Sequence, residues 1–383
     1  MRLVSASTVL GSANGGAIGA NVAGCGTRTR TVRALWWLSD DGPCSVRPDV
    51  DPVVLTAALI REFGLSDSTL RSVPAGETSW CFAAADRSGG RWFVKLTPEG
   101  AIDAARAELA LRLGRALADL GLPVPRPIMT RSGAVWSRVE GLRLAVFEFV
   151  DGAPLPDHEL WAAGTVDQVA QLVAAIHGAT PALAMPVPAE RFTVWTDGLA
   201  GRLAELEFAV AHSGVPAEVR ALVWPQRAWL LAMSERLQAL GKAAWSRAGD
   251  PVLCHGDLIS DNLLGDRIGR LWAVDWDGAV RAPPELDLAL FAGRGFQRFL
   301  DSYRVAAGDT ELVVDPDLVG FFLLRRNLDD LVDWLGGALD AERPQAQRRA
   351  DLEGVRWCLS RWGALQARIN EVRSVMDREH RQR

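Results

Sequence analysis

Between Val252 and Leu264 the chain reads Val-Leu-Cys-His-Gly-Asp-Leu-Ile-Ser-Asp-Asn-Leu-Leu. A hairpin turn is expected at Gly265-Asp266. A second short apolar run, Leu271-Trp272-Ala273-Val274, then ends on Asp275-Trp276-Asp277. Two strand-like runs joined by a turn lie side by side, so their polar residues share one neighbourhood. His255, Asp257 and Asn262 come from the first run, Asp275 and Asp277 from the second. A carboxylate able to orient a hydroxyl, beside an amide and a carboxylate able to hold Mg²⁺, is what ATP-dependent phosphoryl transfer requires. Mg²⁺ prefers oxygen ligands and keeps some of its waters, so few protein ligands suffice. Solvated acids at the ends of a plain hairpin would account for one such aspartate, but not for five polar groups in this order.

The spacing is the specific part. A protein-kinase catalytic loop has the form H-R-D-L-x-x-x-N. Here His255-Gly256-Asp257-Leu258 is followed by Asn262, with Gly in place of the Arg. Asp275-Trp276-Asp277 stands where a kinase carries D-F-G. On these motifs the chain resembles the aminoglycoside phosphotransferase family, which carries H-G-D-x-x-x-x-N and then an acidic pair. The continuation through Pro284-Glu285-Leu286-Asp287-Leu288 is most similar to its spectinomycin-phosphotransferase branch. The resemblance covers roughly residues 51–340.

That resemblance implies an α+β, two-lobed, protein-kinase-like fold. Residues 51–150 would form a small five-stranded antiparallel N-lobe that binds nucleotide. Residues 151–383 would form a mainly helical C-lobe with the catalytic loop and the substrate site. The implied reaction moves the γ-phosphoryl of ATP, or of GTP, to a hydroxyl of a small molecule, with Mg²⁺. Asp257 would orient and deprotonate the hydroxyl, and Asn262 and Asp275 would hold the metal. Asp277 would bind metal or shape the loop. His255 is assigned to loop geometry, because a second base would duplicate Asp257. Asp287 falls where the family has a buried acid that braces the catalytic loop, the plain alternative being an acid at a helix N-terminus. The implied acceptor is an aminoglycoside or aminocyclitol antibiotic of spectinomycin type, and the enzyme would confer resistance. Alternatives are a choline, homoserine or sugar kinase of the same fold, and a nucleotide-binding pseudokinase, which the filled catalytic positions disfavour.

Lysine is nearly absent. Lys95 and Lys242 are the only two, leaving 40 of the 42 basic residues as arginine. A chain that places Arg by default uses Lys where a compact point charge is wanted. Trp92-Phe93-Val94-Lys95 ends a strand, where a kinase carries V-A-I-K. Lys95 is therefore expected to fix the α/β-phosphates rather than to decorate an edge strand. A helix is expected over 101–120, and Glu108 on it is the expected ion-pair partner of Lys95. In the resemblance, Pro74–Ser79 would be the loop over the phosphates, and backbone groups around Glu148–Val150 the hinge that binds the adenine edge.

Other stretches carry less. Residues 1–50 have no helical or strand period and read as a disordered or mis-called tail. Val22-Ala23-Gly24-Cys25 imitates a lipoprotein cleavage box, but the residues before it are too polar for a signal segment. Helices are expected over Asp51–Gly64, Val166–His177, Val219–Leu240 with a break near Pro225, and Asp317–Leu339. Strands are expected over Pro127–Thr130, Ala134–Arg138 and Arg143–Val150. On the Asp317–Leu339 helix, Asn327, Asp330 and Asp333, with Asp329 alongside, form either a grip for the substrate's ammonium groups or a solvated face. His177 reads as a helix-end residue, and the charged end from Asp377 onward is expected to fray.

The net charge of −5 argues against a nucleic-acid partner and suits a cationic small molecule. Five scattered cysteines without a C-x-x-C pair indicate neither zinc nor a disulfide framework and fit a reducing cytoplasm. No membrane span and no obligate assembly is expected: the chain reads as a monomer or weak dimer.

Overall fold

The computed structural model describes residues 50–66, 68–73, 79–208 and 214–382. The expected tail over residues 1–50 lies outside the described residues except for Val50, and so does most of the expected phosphate loop at Pro74–Ser79. The first helix, α1 (Pro52–Ala58), is capped by Asp51, whose carboxylate accepts from the Val53 N–H at 2.8 Å. It runs on as a wider turn over Leu59–Phe63 and stops at Gly64, which adopts φ +75°. Gly is the residue that reaches this left-handed conformation without steric cost.

Five strands follow: β1 (Thr69–Val73), β2 (Trp80–Ala85), β3 (Arg91–Pro98), β4 (Ser137–Val139) and β5 (Leu142–Glu148). They make one antiparallel sheet in the order β1-β2-β3-β5-β4. Between β3 and β4 lies α2 (Ala104–Asp119), N-capped by Asp103. The expected strand at Pro127–Thr130 is reduced to a single bridge from Pro127 to Phe147. The three prolines of Pro123–Pro127 remove backbone donors that a full ladder would need.

The chain then crosses to the helical lobe through β6 (Gly152–Pro154). Asp151 at this crossing pairs with Arg91 of the sheet and with Arg267 of the other lobe. The long helices are α3 (Ala163–Gly178), α4 (Thr196–Phe208), α5 (Val215–Val223) and α6 (Arg227–Trp245). Pro225 separates α5 from α6, as its missing N–H requires. Later come α7 (Phe296–Ala307), α8 (Pro316–Leu339), α9 (Gln345–Ser360) and α10 (Trp362–Gln382). Helix α8 runs through the core: Phe321, Leu328, Leu331 and Leu335 on it are fully buried.

Two departures from expectation matter. The Val252–Leu264 run is not one strand. β7 (Val252–Cys254) pairs with β10 (Val280–Ala282), while β8 (Leu263–Asp266) pairs with β9 (Leu271–Ala273). The intervening loop carries Asp257 and Asn262. The hairpin reverses later than expected, at Arg267–Gly269, because the Asp266 carboxylate accepts from the Ile268 and Arg270 N–H groups and fixes the turn there. The charged C-terminus does not fray among the described residues either. Arg304 of α7, 8 % exposed in its side chain, forms a forked pair with Glu379 of α10 at 2.8 and 2.9 Å. A buried guanidinium keeps its partner helix in place, since an unpaired one is costly.

Glu379→Gln should therefore lower the stability of the whole chain by about 1–3 kcal/mol, read as a drop in the urea midpoint with an unchanged m-value. An unchanged midpoint would mean that the end of α10 is ornamental.

Candidate active site

The two lobes enclose a cleft of about 1600 Å³ whose wall includes Lys95, Asp257, Asn262, Asp275 and Asp277. Three segments deliver these residues. Lys95 sits in the middle of β3, opposite Cys81 and Ala145. Asp257 and Asn262 lie on the loop between β7 and β8, and Asp275 and Asp277 follow β9. The Asn262 Nδ2 donates to both the Asp257 carbonyl at 2.7 Å and the Asp257 Oδ2 at 3.0 Å. That orients the amide oxygen of Asn262 away from Asp257 and leaves it to a cation.

The loop is held from beneath by Asp287, which is fully buried. Its carboxylate accepts from the His255 N–H and the Gly256 N–H, both at 2.8 Å. The His177 Nε2 donates to it at 3.1 Å, and the His177 Nδ1 pairs with the Tyr303 hydroxyl at 2.7 Å. A carboxylate is acceptor-only, which fixes which imidazole nitrogen carries the proton on that side. Burial would push the Asp287 carboxyl up, but His177 and the backbone N–H groups outweigh it and hold it below the usual range. His177 is thus more than a helix-end residue. His255 itself bonds the Val274 carbonyl through Nε2 at 3.0 Å and packs on Trp276, which ties the two polar segments together.

Gly256 stands where a kinase loop has Arg, and the backbone explains it. Its φ is +79°, and a Cβ there would collide with the Gly278 carbonyl oxygen. Asp275 is also in the left-handed region, at φ +65°, which is rare for a residue with a side chain.

Lys95 bridges the lobes. Its Nζ lies 3.1 Å from Asp275 Oδ1 and 3.6 Å from Asp277 Oδ2. Burial alone would lower the lysine's pKa, but the two carboxylates outweigh it and raise it. Burial likewise works against the Asp275 carboxylate, and Lys95 reverses that to a net lowering. Asp277 stays raised, because burial and the neighbouring Asp275 together exceed the help from Lys95. The oxygen-only set of Asn262, Asp275 and Asp277 suits a hard divalent cation such as Mg²⁺.

The expected Lys95–Glu108 pair is not formed. Glu108 instead accepts from Arg112, one turn along α2, at 2.8 Å. The helix turns small residues, among them Ala107, Ala110 and Gly114, toward the cleft. What α2 contributes is Arg106, whose Nε donates to the Asp277 carbonyl at 2.7 Å. At the hinge, the Glu148 N–H is taken by the Arg126 carbonyl at 2.9 Å, so it is not available to a base edge. Phe149 and Val150 continue along the cleft wall. Arg143, 5 % exposed, lies on the same wall over the Trp136 ring.

The acidic helix face divides. Asp330 and Asp333 of α8 line the cleft. Asn327 turns inward, is 1 % exposed and donates to the Cys358 carbonyl at 3.1 Å. Asp329 is not among the cleft residues, and burial with the charges of Asp330 and Asp333 pushes its carboxyl up to about 6 despite Arg325. Asp333 is raised by burial and by Asp330. Sequence reasoning missed Arg326, whose Nη2 lies 2.5 Å from Asp257 Oδ1. Its place one turn before Asp330 was a signal available on the same helix.

A catalytic loop, an acidic pair and a lobe-bridging lysine on this fold define a kinase-like phosphotransferase. The chain belongs to the phosphotransferase enzyme family, whose model matches residues 69–322. It is 30 % identical over 231 residues to protein StrN of Streptomyces griseus, covering 57 % of this chain and 68 % of that one. A spectinomycin phosphotransferase solved with ADP and spectinomycin is similar at TM-score 0.66 and 18 % identity, over 86 % of this chain and 99 % of that one. The choline kinase LicA of Streptococcus pneumoniae is similar at TM-score 0.53 and 15 % identity, over 80 % and 98 %. An amicoumacin kinase solved with AMP-PNP, Ca²⁺ and Ami is similar at TM-score 0.55 and 17 % identity, over 81 % and 92 %. At such identities these structures establish a shared fold. Among the described residues no helix is long and apolar enough to cross a membrane.

Gly256→Ala forces both a left-handed alanine and a clash with Gly278. It should abolish most turnover while the far-UV spectrum stays that of the parent. Full activity in this variant would show that the loop has room the structure does not give it.

Proposed function

We propose that the protein transfers the γ-phosphoryl group of ATP to a hydroxyl of a cationic aminocyclitol or aminoglycoside. The observation that carries this is the meeting of Lys95, Asp257, Asn262 and Asp275 in one cleft with an acidic helix face opposite them. Asp257 takes the hydroxyl's proton. Asn262 and Asp275 hold Mg²⁺, with Asp277 beside them, and Lys95 turns from the acids to the α/β-phosphates when nucleotide enters. Bound Mg²⁺ would neutralise phosphate charge. Backbone groups at Phe149 and Val150 face the base. The N-lobe then ends near residue 150, at the Asp151 crossing.

The acceptor's ammonium groups fit Asp330 and Asp333. These acids repel each other, and a cation between them relieves that repulsion. The spectinomycin-bound neighbour shares the fold, which makes an aminocyclitol the first acceptor to try. Resistance to such an antibiotic would follow, in the cytoplasm where the drug meets its target.

Purified protein with Mg-ATP and a panel of spectinomycin, streptomycin, choline and homoserine tests the proposal. Transfer to an aminocyclitol is expected, and transfer to choline alone would replace the reading. Asp257→Asn should lower turnover by a factor of about 10² or more, with ATP affinity retained. Asp330→Asn with Asp333→Asn should raise the acceptor KM about tenfold or more and leave the KM for ATP unchanged. Asp333 gains a proton more readily than an ordinary aspartate, so on acidification acceptor affinity should begin to fall at a higher pH than an ordinary aspartate would give. The double variant should flatten that dependence.

A further inference from the structure

We propose that Arg326 is a catalytic residue: its guanidinium binds the γ-phosphoryl group while that group passes between ADP and the acceptor. The proposal rests on the reading of Asp257 as the base. The geometry begins with the Arg326 Nη2, 2.5 Å from Asp257 Oδ1, and its Nε, 3.9 Å from Asp330 Oδ2. The side chain is 30 % exposed on the cleft wall.

The charge of the reacting centre needs such a group. Asp257, Asp275 and Asp277 bring three carboxylates to the place where a polyphosphate must also sit. Lys95 is engaged with two of them. Of the other cleft-wall arginines, three are engaged by groups other than Asp257. Arg143 lies over Trp136 in the sheet, Arg202 pairs with Glu205, and Arg343 pairs with the buried Asp351 of α9. Among the described residues of the cleft, Arg326 is the guanidinium in contact with Asp257.

The transfer itself shows what it would do. The acceptor O–H loses its proton to Asp257 as its oxygen forms a bond to the γ-phosphorus. The bond from that phosphorus to the β–γ bridging oxygen breaks, and ADP leaves with the electron pair. In transit the charge spreads over three equatorial oxygens, and stabilising it is most of the catalytic task. The acceptor oxygen lies between Asp257 and phosphorus, so a group touching Asp257 is one hydrogen bond away from those equatorial oxygens. A guanidinium presents several N–H donors in a rigid fork, so Arg326 can hold its ion pair with Asp257 Oδ1 and give an N–H to phosphate. Its attachment to α8, which is rooted in the core, preorganises that position.

Mg-ATP hydrolysis, with water in the acceptor's place, supplies an assay that needs no known acceptor. Arg326→Ala and Arg326→Lys are compared with the parent at saturating Mg-ATP, with ADP affinity and unfolding midpoint measured alongside. Arg326→Ala should lower kcat by about 10²-fold, with ADP affinity within about threefold, and added guanidinium chloride at non-denaturing concentration should restore part of the rate. Arg326→Lys should fall between the two. A kcat that is unchanged or raised in Arg326→Ala would overturn the proposal, because Arg326 would then be idle or a lock on Asp257. A loss of kcat that guanidinium does not restore, with a lowered midpoint, would overturn it too, assigning Arg326 a structural role. Asp257→Asn in the same assay separates the two readings. If that variant keeps the parent rate, the base is misassigned, whereas an active-site loss there with Arg326→Ala unaffected fails the Arg326 proposal alone.

Discussion

Everything in the cleft depends on a carboxylate that never reaches it. Asp287, fully buried, receives two backbone N–H groups of the catalytic loop and the imidazole of His177. Transferring a carboxylate out of water costs several kcal/mol unless its lone pairs are satisfied. The loop can satisfy them in one arrangement only, with the His255 and Gly256 N–H groups pointing down. That choice turns the Asp257 side chain up into the cleft. It also forces φ +79° on Gly256 and its close approach to Gly278, which brings the Asp275–Gly278 turn alongside. One buried charge thus sets the distance between the two polar segments.

A second constraint ties that assembly to the sheet. Lys95 reaches across to Asp275 and Asp277, and Arg106 of α2 holds the Asp277 carbonyl. The pair of acids opposes itself: Asp275 is held below its ordinary pKa by Lys95, whereas Asp277 is pushed above its own by burial and by Asp275. Such a site gains from a divalent cation, which relieves the repulsion that a single ammonium leaves over. The strained φ of Asp275 belongs to the same account, being affordable only where the surroundings over-determine the turn.

Much of this was legible in the sequence. Asp257, Asn262, Asp275 and Asp277 are fixed by short spacings, and the β-loop-β context carries them wherever the strands go. Lys95 was legible because Lys is scarce in this chain. The five-stranded sheet was implied by the family resemblance, and several helices, among them Ala163–Gly178 and Pro316–Leu339, followed from period and punctuation. What failed depended on rotation or on distant partners. Glu108 was chosen by its distance along the chain, but which α2 residue meets the other lobe is set by how the helix rolls on Ala107, Ala110 and Gly114. Asn327 shares a rough spacing with Asp330 and Asp333, yet a helix turns 100° per residue, and Asn327 falls on the inward side. The ordered C-terminus could not be read locally, because its anchor, Arg304, lies 75 residues away.

Helix α8 shows why the acceptor side is harder to read than the nucleotide side. Its inward face is apolar core, so its orientation is decided by packing that many sequences satisfy equally. Its cleft face then presents Arg326, Asp330 and Asp333 in succession, at a rise of about 6 Å from the first to the second. A cation beside the base and anions one and two turns beyond it form a gradient. Under the proposed function, that gradient would orient an acceptor whose hydroxyl enters first and whose ammonium groups trail toward Asp330 and Asp333, and would disfavour one with an ammonium directly beside the reacting oxygen. The nucleotide side needs only oxygen ligands and a lysine, which a motif can encode. The acceptor side needs an order of charges along a helix, and that order acquires meaning only once the core has fixed which way the helix faces.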